Sequence, residues 1–204
     1  MVPTVSDNSG PIGPTSGSFS ARRLLLVGTG AISVAFLPYW IKWLGLALPD
    51  VECRVVVTRS AERFVTRESL SAVNSSVAQL DAWPEEPRTT ALHVEWAQWA
   101  EAVAVYPATV NFVSRFAAGM GDTPAMLALQ CTRATIGIAP SLPPGAIDNP
   151  VLSRHLKEIQ ERPGVCVAPP EPGRSSTTGR HDAYVPPDLP TLLALMERSS
   201  GRMA

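Results

Sequence analysis

The stretch His93-Val-Glu-Trp-Ala-Gln-Trp-Ala-Glu-Ala-Val-Ala-Val-Tyr-Pro-Ala-Thr-Val-Asn111 decides the fold of this chain. Its first half has the helical spacing of Trp96 and Trp99, and residues 103–106 are typical of a short buried strand. A proline, a threonine and an asparagine follow directly. Because open parallel sheets bind ligands outside the carboxyl ends of their strands, we expect chemistry at residues 107–111.

The same order of strand, turn and helix recurs along the chain. Residues 24–27 read as a buried strand, Gly28 to Gly30 as a tight turn, and a helix follows from near Ser33 to residue 48. Further strands are predicted at 52–57, 134–139 and 164–168, with helices at 64–73, 124–130, 150–161 and 191–198. This alternation predicts an α/β fold, a three-layer, doubly wound parallel sheet of the Rossmann-like or flavodoxin-like type.

Three segments fall outside that alternation. Residues 1–20 are rich in Ser, Pro and Gly and are predicted to be a disordered tail, which leaves 21–204 as a single domain. Residues 74–90 are polar and read as a surface excursion whose one large apolar anchor is Trp83. Residues 169–190 form a long Pro, Ser, Thr and Gly segment, which is expected to be flexible and functional.

The apolar run 24–48 follows Arg22-Arg23, so an export signal or a membrane span is an alternative interpretation. The run contains Gly28 and Gly30 early, then Pro38 and Lys42, and no small-residue cleavage site follows it. The soluble strand, turn and helix is therefore the favoured interpretation.

Composition excludes some functions. The 204 residues carry a net charge of -1, so bulk charge gives no attraction to nucleic acid or to anionic lipid. Cys53, Cys131 and Cys166 are odd in number and lie in or beside apolar runs, which favours reduced thiols in a cytoplasmic protein. None of them has a Cys or His partner at metal-binding spacing, so no metal site is predicted.

Two turns have groups suited to a phosphate. The glycines of Gly28-Thr29-Gly30 allow backbone N–H groups and a helix dipole to point at an anion, although they are equally compatible with a tight connection alone. The hydroxyls of Thr58-Arg-Ser60 follow the second strand and could bind a phosphate or simply cap a helix.

Taken in order, the motifs resemble the flavin-dependent cysteine decarboxylases, a family that includes phosphopantothenoylcysteine decarboxylase and enzymes that decarboxylate the C-terminal cysteine of a peptide. The resemblance spans roughly residues 23–196. It rests on the segments Gly28-Thr-Gly-Ala-Ile-Ser33, Thr58-Arg-Ser60-Ala-Glu-Arg-Phe64-Val, His93, Pro107-Ala-Thr-Val-Asn111, Gly119-Met-Gly-Asp122 and Asn149-Pro150.

The resemblance implies a doubly wound fold that binds FMN at a contact between subunits of a homo-oligomer, a trimer or a dodecamer built from trimers. By position, the residues implied on the phosphate and ribityl side are Gly30, Ser33, Ser60 and Phe64, with Gly28, Thr29 and Thr58 as further cofactor-binding residues. The residues implied around the isoalloxazine are Pro107, Ala108, Thr109 and Asn111. His93 matches the histidine on which catalysis depends, and it would serve the flavin of its own subunit or of a neighbour.

One departure from the family concerns the substrate carboxylate. The family has an asparagine in a Pro-x-Met-Asn-x-x-Met-Trp segment, whereas this chain reads Pro140-Ser-Leu-Pro-Pro-Gly-Ala-Ile147 and has Pro143 at that position. A lost hydrogen bond to a charged group costs about 1.5 to 3 kcal/mol. Candidate substitutes are Ser141, backbone N–H groups of the same loop, and two arginines of the substrate-covering segment, Arg174 and Arg180. By position, Leu142 and Pro143 are also implied at the substrate.

The function implied by the resemblance is FMN-dependent oxidative decarboxylation of the C-terminal cysteine of a ribosomal precursor peptide, which gives an aminoenethiol for an aminovinyl-cysteine ring. The precursor peptide would be the partner, with no nucleic acid and no membrane. Phosphopantothenoylcysteine decarboxylation is an alternative that Pro143 disfavours. A non-catalytic flavin-binding interaction subunit is another, which Pro143 favours and His93 disfavours. Flavin prenyltransferase activity is a distant further alternative.

Overall fold

A computed structural model describes residues 19–200. The predicted tail therefore lies outside the described residues, except for its last two positions. No helix between residues 19 and 200 is long and apolar enough to cross a membrane. Within the same range, no group of three His, Cys, Asp or Glu side chains is placed to hold a metal ion.

The described residues form a six-stranded sheet in which every pair of neighbouring strands is parallel. Its strand order is β3-β2-β1-β4-β5-β6, which confirms the doubly wound prediction. The strands are β1 (Arg23–Gly28), β2 (Glu52–Val57), β3 (Gln79–Leu80), β4 (Ala102–Thr109), β5 (Thr135–Ser141) and β6 (Val165–Val167). The order reverses between β1 and β4, so a ligand crevice is expected at their carboxyl ends.

Helices connect the strands and cover both faces of the sheet. They are α1 (Leu37–Ala47), α2 (Arg67–Val73), α3 (Leu92–Trp99), α4 (Val110–Ala117), α5 (Pro124–Cys131), α6 (Pro150–Gln160) and α7 (Leu189–Ser200). Short 3-10 turns precede α1 and α2, at Ile32–Phe36 and Ala61–Arg63. The helix starts after Thr123 and Asn149 follow sequence rules, because both side chains accept hydrogen bonds from the first turn.

Two hydrophobic cores lie on opposite faces of the sheet, which makes the fold three-layered. Leu24 and Leu26 of β1 pack with residues of α1, α2 and α7, whereas Leu25 and Val27 pack with residues of α3, α4, α5 and α6. Successive side chains of a strand point to opposite faces, and both faces here are buried. This is why the strand reads as an unbroken apolar run.

The three cysteines are free thiols. Cys53 and Cys166 are buried and Cys131 is exposed. Burial raises the pKa of the Cys53 thiol to about 12, so this group stays protonated at neutral pH.

Local structure differs from the sequence prediction in three places. Helix α2 begins at Arg67 rather than at residue 64, because the Thr66 hydroxyl accepts a hydrogen bond from the Ser69 N–H and caps it there. Strand β3 lies inside the predicted surface excursion. Strand β4 continues to Thr109, with a register shift between Val105 and Ala108, instead of ending at residue 106.

The long segment 169–190 contains an antiparallel hairpin of two strands, β7 (Glu171–Gly173) and β8 (Ala183–Val185). The backbone groups of Leu142 and Tyr184 exchange two hydrogen bonds, of 2.8 and 3.0 Å, which attach the hairpin to the loop that follows β5. The hairpin therefore stands at the carboxyl edge of the sheet. The predicted flexibility of the segment stays a prediction.

A single hydroxyl joins the ends of β1 and β4 where the strand order reverses. The Thr29 Oγ1 donates to the carbonyl oxygen of Pro107 at 2.7 Å and accepts from the Thr109 N–H at 2.9 Å. Thr29 is 1% exposed, so water does not compete for these groups. The peptide bond between Tyr106 and Pro107 is cis.

We expect Thr29→Val to lower the free energy of unfolding by about 1–3 kcal/mol, because valine keeps the shape but leaves the Thr109 N–H buried without an acceptor. Urea denaturation followed by circular dichroism measures this change. Thr29→Ser keeps the hydroxyl and is the matched control. A valine variant as stable as the serine variant would contradict a stabilising role for the bridge.

Candidate functional site

A cavity of about 550 Å³ opens at the carboxyl edge of the sheet, beside the point where the strand order reverses. It is lined by three groups of residues: the turn after β1, the start of α4 together with the loop after β5, and the hairpin segment. The lining residues are Gly30, Ala31, Ile32, Thr109, Val110, Asn111, Ser141, Leu142, Pro143, Pro144, Arg174, Ser175, Ser176, Thr177, Thr178, Ala183, Tyr184 and Val185.

The turns after β1 and β2 touch each other at Gly30 and Ser60. A Cβ atom on Gly30 would overlap the Ser60 side chain and lie 3.0 Å from its carbonyl carbon, so only glycine fits. Ser33 lies on the same turn, and its buried Oγ has no hydrogen-bond partner among residues 19–200. A buried hydroxyl without a partner is costly, which makes it a candidate ligand-binding group.

Other residues predicted on the phosphate side have structural contacts. The Thr58 hydroxyl accepts from the Ala61 N–H at 3.3 Å and caps the turn, which fits the capping interpretation. Gly28 leaves room for Val34 and Leu37, since a Cβ there would come within 3.0 Å of both side chains. Phe64 is 41% exposed. Neither Thr58, Gly28 nor Phe64 lines the cavity.

Residues 107–111, at the end of β4 and the start of α4, include residues that support the cavity and residues that line it. Pro107 and Ala108 are buried, and the Thr29 hydroxyl is fully used by the strand bridge, so these three shape the floor of the site. The Thr109 hydroxyl accepts from the Phe112 N–H at 3.3 Å and caps α4. Asn111 is exposed in the first turn of that helix and lines the cavity.

The tip of the hairpin is closed by its own hydrogen bonds. The Ser175 Oγ accepts from the N–H groups of Thr177 and Thr178, and the Ser175 N–H donates to the Arg180 carbonyl at 2.8 Å. Gly179 has a positive φ of 70°, which favours glycine at this turn. The tip therefore holds a defined shape over the cavity.

The two candidate arginines have different environments. Arg174 lines the cavity, and its Nε donates to the Gly179 carbonyl at 2.7 Å. Arg180 does not line the cavity; its Nε lies 3.1 Å from a carboxylate oxygen of Asp182. Arg174 is the one charged side chain among the described residues that line the cavity. The cavity is therefore electropositive and suited to a carboxylate or another anion.

His93 lies elsewhere. It lines a second depression of about 540 Å³, which extends from α3 to the end of α5 and the residues after it. None of its lining residues lines the first cavity. Its neighbours there include Ala97, Gln98, Cys131 and Arg133. Within the described part of a single chain, the cavity and the predicted catalytic histidine are therefore separate.

Sequence reasoning missed part of the lining. Tyr184 reaches the cavity through a strand pairing of the hairpin that no local pattern indicates. The hydroxyl run from Ser175 to Thr178 had a signal, because four consecutive small polar residues in a long loop suit a binding segment. No sequence signal marked Ile32 as a lining residue, because it lies within an ordinary apolar run.

A family model described as "Flavoprotein" matches residues 12–182. The chain belongs to the Flavoprotein family. It is 31% identical over 180 residues to the cypemycin cysteine dehydrogenase (decarboxylating) of a Streptomyces species, a match that covers 88% of this chain and 93% of that protein.

Two solved structures have a fold similar to that of this chain. The crystal structure of the cypemycin decarboxylase CypD has a TM-score of 0.75 at 29% identity and covers 92% of this chain and 98% of its own. The FMN-dependent cysteine decarboxylase SpaF has a TM-score of 0.73 at 21% identity, with 88% and 99% covered. At that identity SpaF supports the fold alone.

Proposed function

We propose that this protein is an FMN-dependent enzyme that oxidatively decarboxylates the C-terminal cysteine of a ribosomal precursor peptide. The product is an aminoenethiol for an aminovinyl-cysteine ring. The observation that carries the proposal is the similarity to a decarboxylating cysteine dehydrogenase over nearly the full length of both proteins. We also propose that it acts in the cytoplasm, where such a peptide is synthesised.

The turns at the carboxyl edge of the sheet fit FMN. The Ser33 hydroxyl is buried and has no partner in the part of the chain that the structure describes, and Gly30 and Ser60 bring two turns into contact. Such a turn offers backbone N–H groups to a phosphate. Asn111 and Thr109 line the adjoining cavity and would hold the polar edge of the ring system.

The mechanism needs an electron sink, because a carbanion formed directly at the cysteine Cα has none. When bound, FMN would supply the acceptor for the two electrons and the Cβ hydrogen removed as the cysteine CH2–SH becomes a thioaldehyde. His93 accepts the proton of the thiol in this step. The thioaldehyde then takes up the electron pair released with carbon dioxide, and the enethiolate recovers a proton from the His93 imidazolium to give the enethiol. The cavity residues hold the peptide end and exclude water during these steps.

Arg174 is the proposed substitute for the family asparagine at Pro143. Arg174 and Pro143 line the same cavity. The hydrogen bond from the Arg174 Nε to the Gly179 carbonyl leaves the other guanidinium N–H groups available for a substrate. A guanidinium binds a carboxylate through charge-assisted hydrogen bonds. The substrate carboxylate would then be recognised from the hairpin tip rather than from the loop after β5.

The proposed assembly is a homo-oligomer, either a trimer or a dodecamer built from trimers. The turn before α1 and the helix itself carry a stripe of exposed apolar side chains, which we name the α1 stripe: Ile32 (55% exposed), Phe36 (64%), Tyr39 (62%) and Leu46 (77%). Their spacing places them along one side of a helix. Such a stripe is usually covered by another protein surface. Ile32 also lines the cavity, so a second copy on this stripe would reach the cavity mouth. We propose that this copy places its His93 there.

A first experiment combines a visible spectrum with mass spectrometry. We expect the purified protein to bind FMN, and a peptide ending in Cys to lose carbon dioxide and two hydrogens on incubation. Phosphopantothenoylcysteine is the competing substrate, and faster turnover of it would favour the coenzyme A alternative. A flavoprotein that converts neither would favour the interaction subunit, and a protein unable to take up FMN would contradict the proposal.

Arg174→Gln tests recognition of the carboxylate. We expect it to weaken binding of an unreactive peptide ending in Ser by about 10- to 100-fold, because a hydrogen bond to a charged group is lost. Isothermal titration of the FMN-loaded protein measures this. Binding of the same peptide as a C-terminal amide should change little. Arg180→Gln is the matched control, since Arg180 pairs with Asp182 outside the cavity. Equal losses for acid and amide would exclude the proposed role.

Co-expression tests whether His93 serves a neighbouring copy. His93→Asn and Asn111→Ala are each expected to be nearly inactive as pure oligomers. In randomly mixed oligomers, about half of the copies have an intact cavity and about half have an intact histidine. An intact cavity therefore lies beside a neighbour's intact histidine in about a quarter of the sites. Activity near a quarter of the wild type is therefore expected. Mixed oligomers of normal size without recovered activity would argue that His93 serves its own chain.

A further inference from the structure

Among residues 19–200, no hydrogen bond fixes the orientation of the His93 ring. Its Nδ1 atom is buried and has no partner among the described residues. Histidines that transfer protons are usually oriented by a hydrogen bond from one ring nitrogen to a carboxylate or a carbonyl. Within the described part of the chain, packing is what orients the imidazole.

An indole supplies that packing. The ring centroids of Trp83 and His93 lie 5.7 Å apart, and the ring planes meet at 76°, an edge-to-face arrangement. Aromatic pairs at this distance and angle attract each other and prefer a narrow set of orientations. Trp83 belongs to the segment between β3 and α3, and 46% of it is exposed. The hydrophobic cores do not include it, so burial alone does not account for this tryptophan.

Trp83 is itself held in place from a third segment. Its Nε1–H donates to the carbonyl oxygen of Asp122 at 3.0 Å. The Asp122 carboxylate pairs with the guanidinium of Arg115 on α4, and this bond holds the pKa of Asp122 below its ordinary value. The position of the indole is thus fixed by residues that follow the cavity-lining start of α4.

We propose that Trp83 is a positioning residue for His93. The indole, anchored at the Asp122 carbonyl, sets the plane of the imidazole and so the direction in which its nitrogen meets the substrate thiol. The histidine is thus connected to α4, the helix whose first turn lines the cavity. The connection consists of three contacts: Arg115 with Asp122, Asp122 with Trp83, and Trp83 with His93. The effect on catalysis rests on the proposed function, whereas the effect on the imidazole does not.

Nuclear magnetic resonance of histidine side chains tests the positioning directly. The chain has three histidines, His93, His155 and His181, so the His93 signals are assigned by their loss in His93→Asn. We expect Trp83→Ala to move the His93 ring signals and leave the other two in place. Trp83→Phe keeps a ring without the Nε1–H and should give a smaller displacement. The control is Val77→Ala, which removes an apolar side chain, 76% exposed, from the neighbouring loop between α2 and β3.

Kinetics of the FMN-loaded enzyme with a peptide ending in Cys test the consequence. We expect Trp83→Ala to lower kcat by about 10-fold or more with little change in KM, since small misplacements of a reacting group have effects of this size. Trp83→Phe should recover part of the loss, and Val77→Ala should match the wild type. A purely structural role would instead lower thermal stability and FMN content and leave the kcat of the FMN-loaded enzyme unchanged.

The outcomes separate the two proposals. Unchanged His93 signals in Trp83→Ala would overturn the positioning role, whatever the activity. If the signals move but His93→Asn still decarboxylates the peptide, the proposed role of His93 is wrong while the contact with Trp83 stands. If His93→Asn is inactive and Trp83→Ala keeps its full kcat, the contact exists but does not serve catalysis, and the inference fails.

Discussion

The hydroxyl of Thr29 is the constraint on which the site depends. Parallel strands diverge after their last ladder hydrogen bond, and here two of them must end side by side for a ligand to bind between them. Thr29 donates to one backbone group at the end of the neighbouring strand β4 and accepts from another, on either side of Ala108. This fixes where α4 begins. The positions of Thr109 and Asn111 at the cavity follow from that start.

The other walls of the cavity are formed by the loop after β5 and by the hairpin, which are distant in sequence. A second interaction must hold these two segments together. The backbone pairing of Leu142 with Tyr184 joins the loop after β5 to the hairpin, and it places Arg174 on the cavity. Arg180 lies six residues further along but is turned away by Asp182. Sequence proximity alone would not separate these two arginines. The cavity has a single positive charge because of how the hairpin folds.

Most of the fold was predictable, because both faces of the sheet are buried and apolar runs such as Leu24 to Val27 mark its strands. The sequence analysis did not predict strand β3, because a strand of two residues is too short to show a hydrophobic periodicity. The residues of the site were predictable where a turn after a strand requires them, as with Gly30 and Asn111. Tyr184 and the contact of Trp83 with His93 depend on pairings between distant segments, which local patterns do not encode.

The hairpin tip also affects how tightly a flexible peptide can be held. Ordering a loop residue costs about 1–2 kcal/mol of conformational entropy. The turn around Ser175 and Gly179 is already closed by hydrogen bonds within the tip. Little ordering is then left for the moment of binding. If the proposed peptide is the substrate, its end would meet a wall of defined shape, and the entropic loss would fall on the peptide rather than on the enzyme.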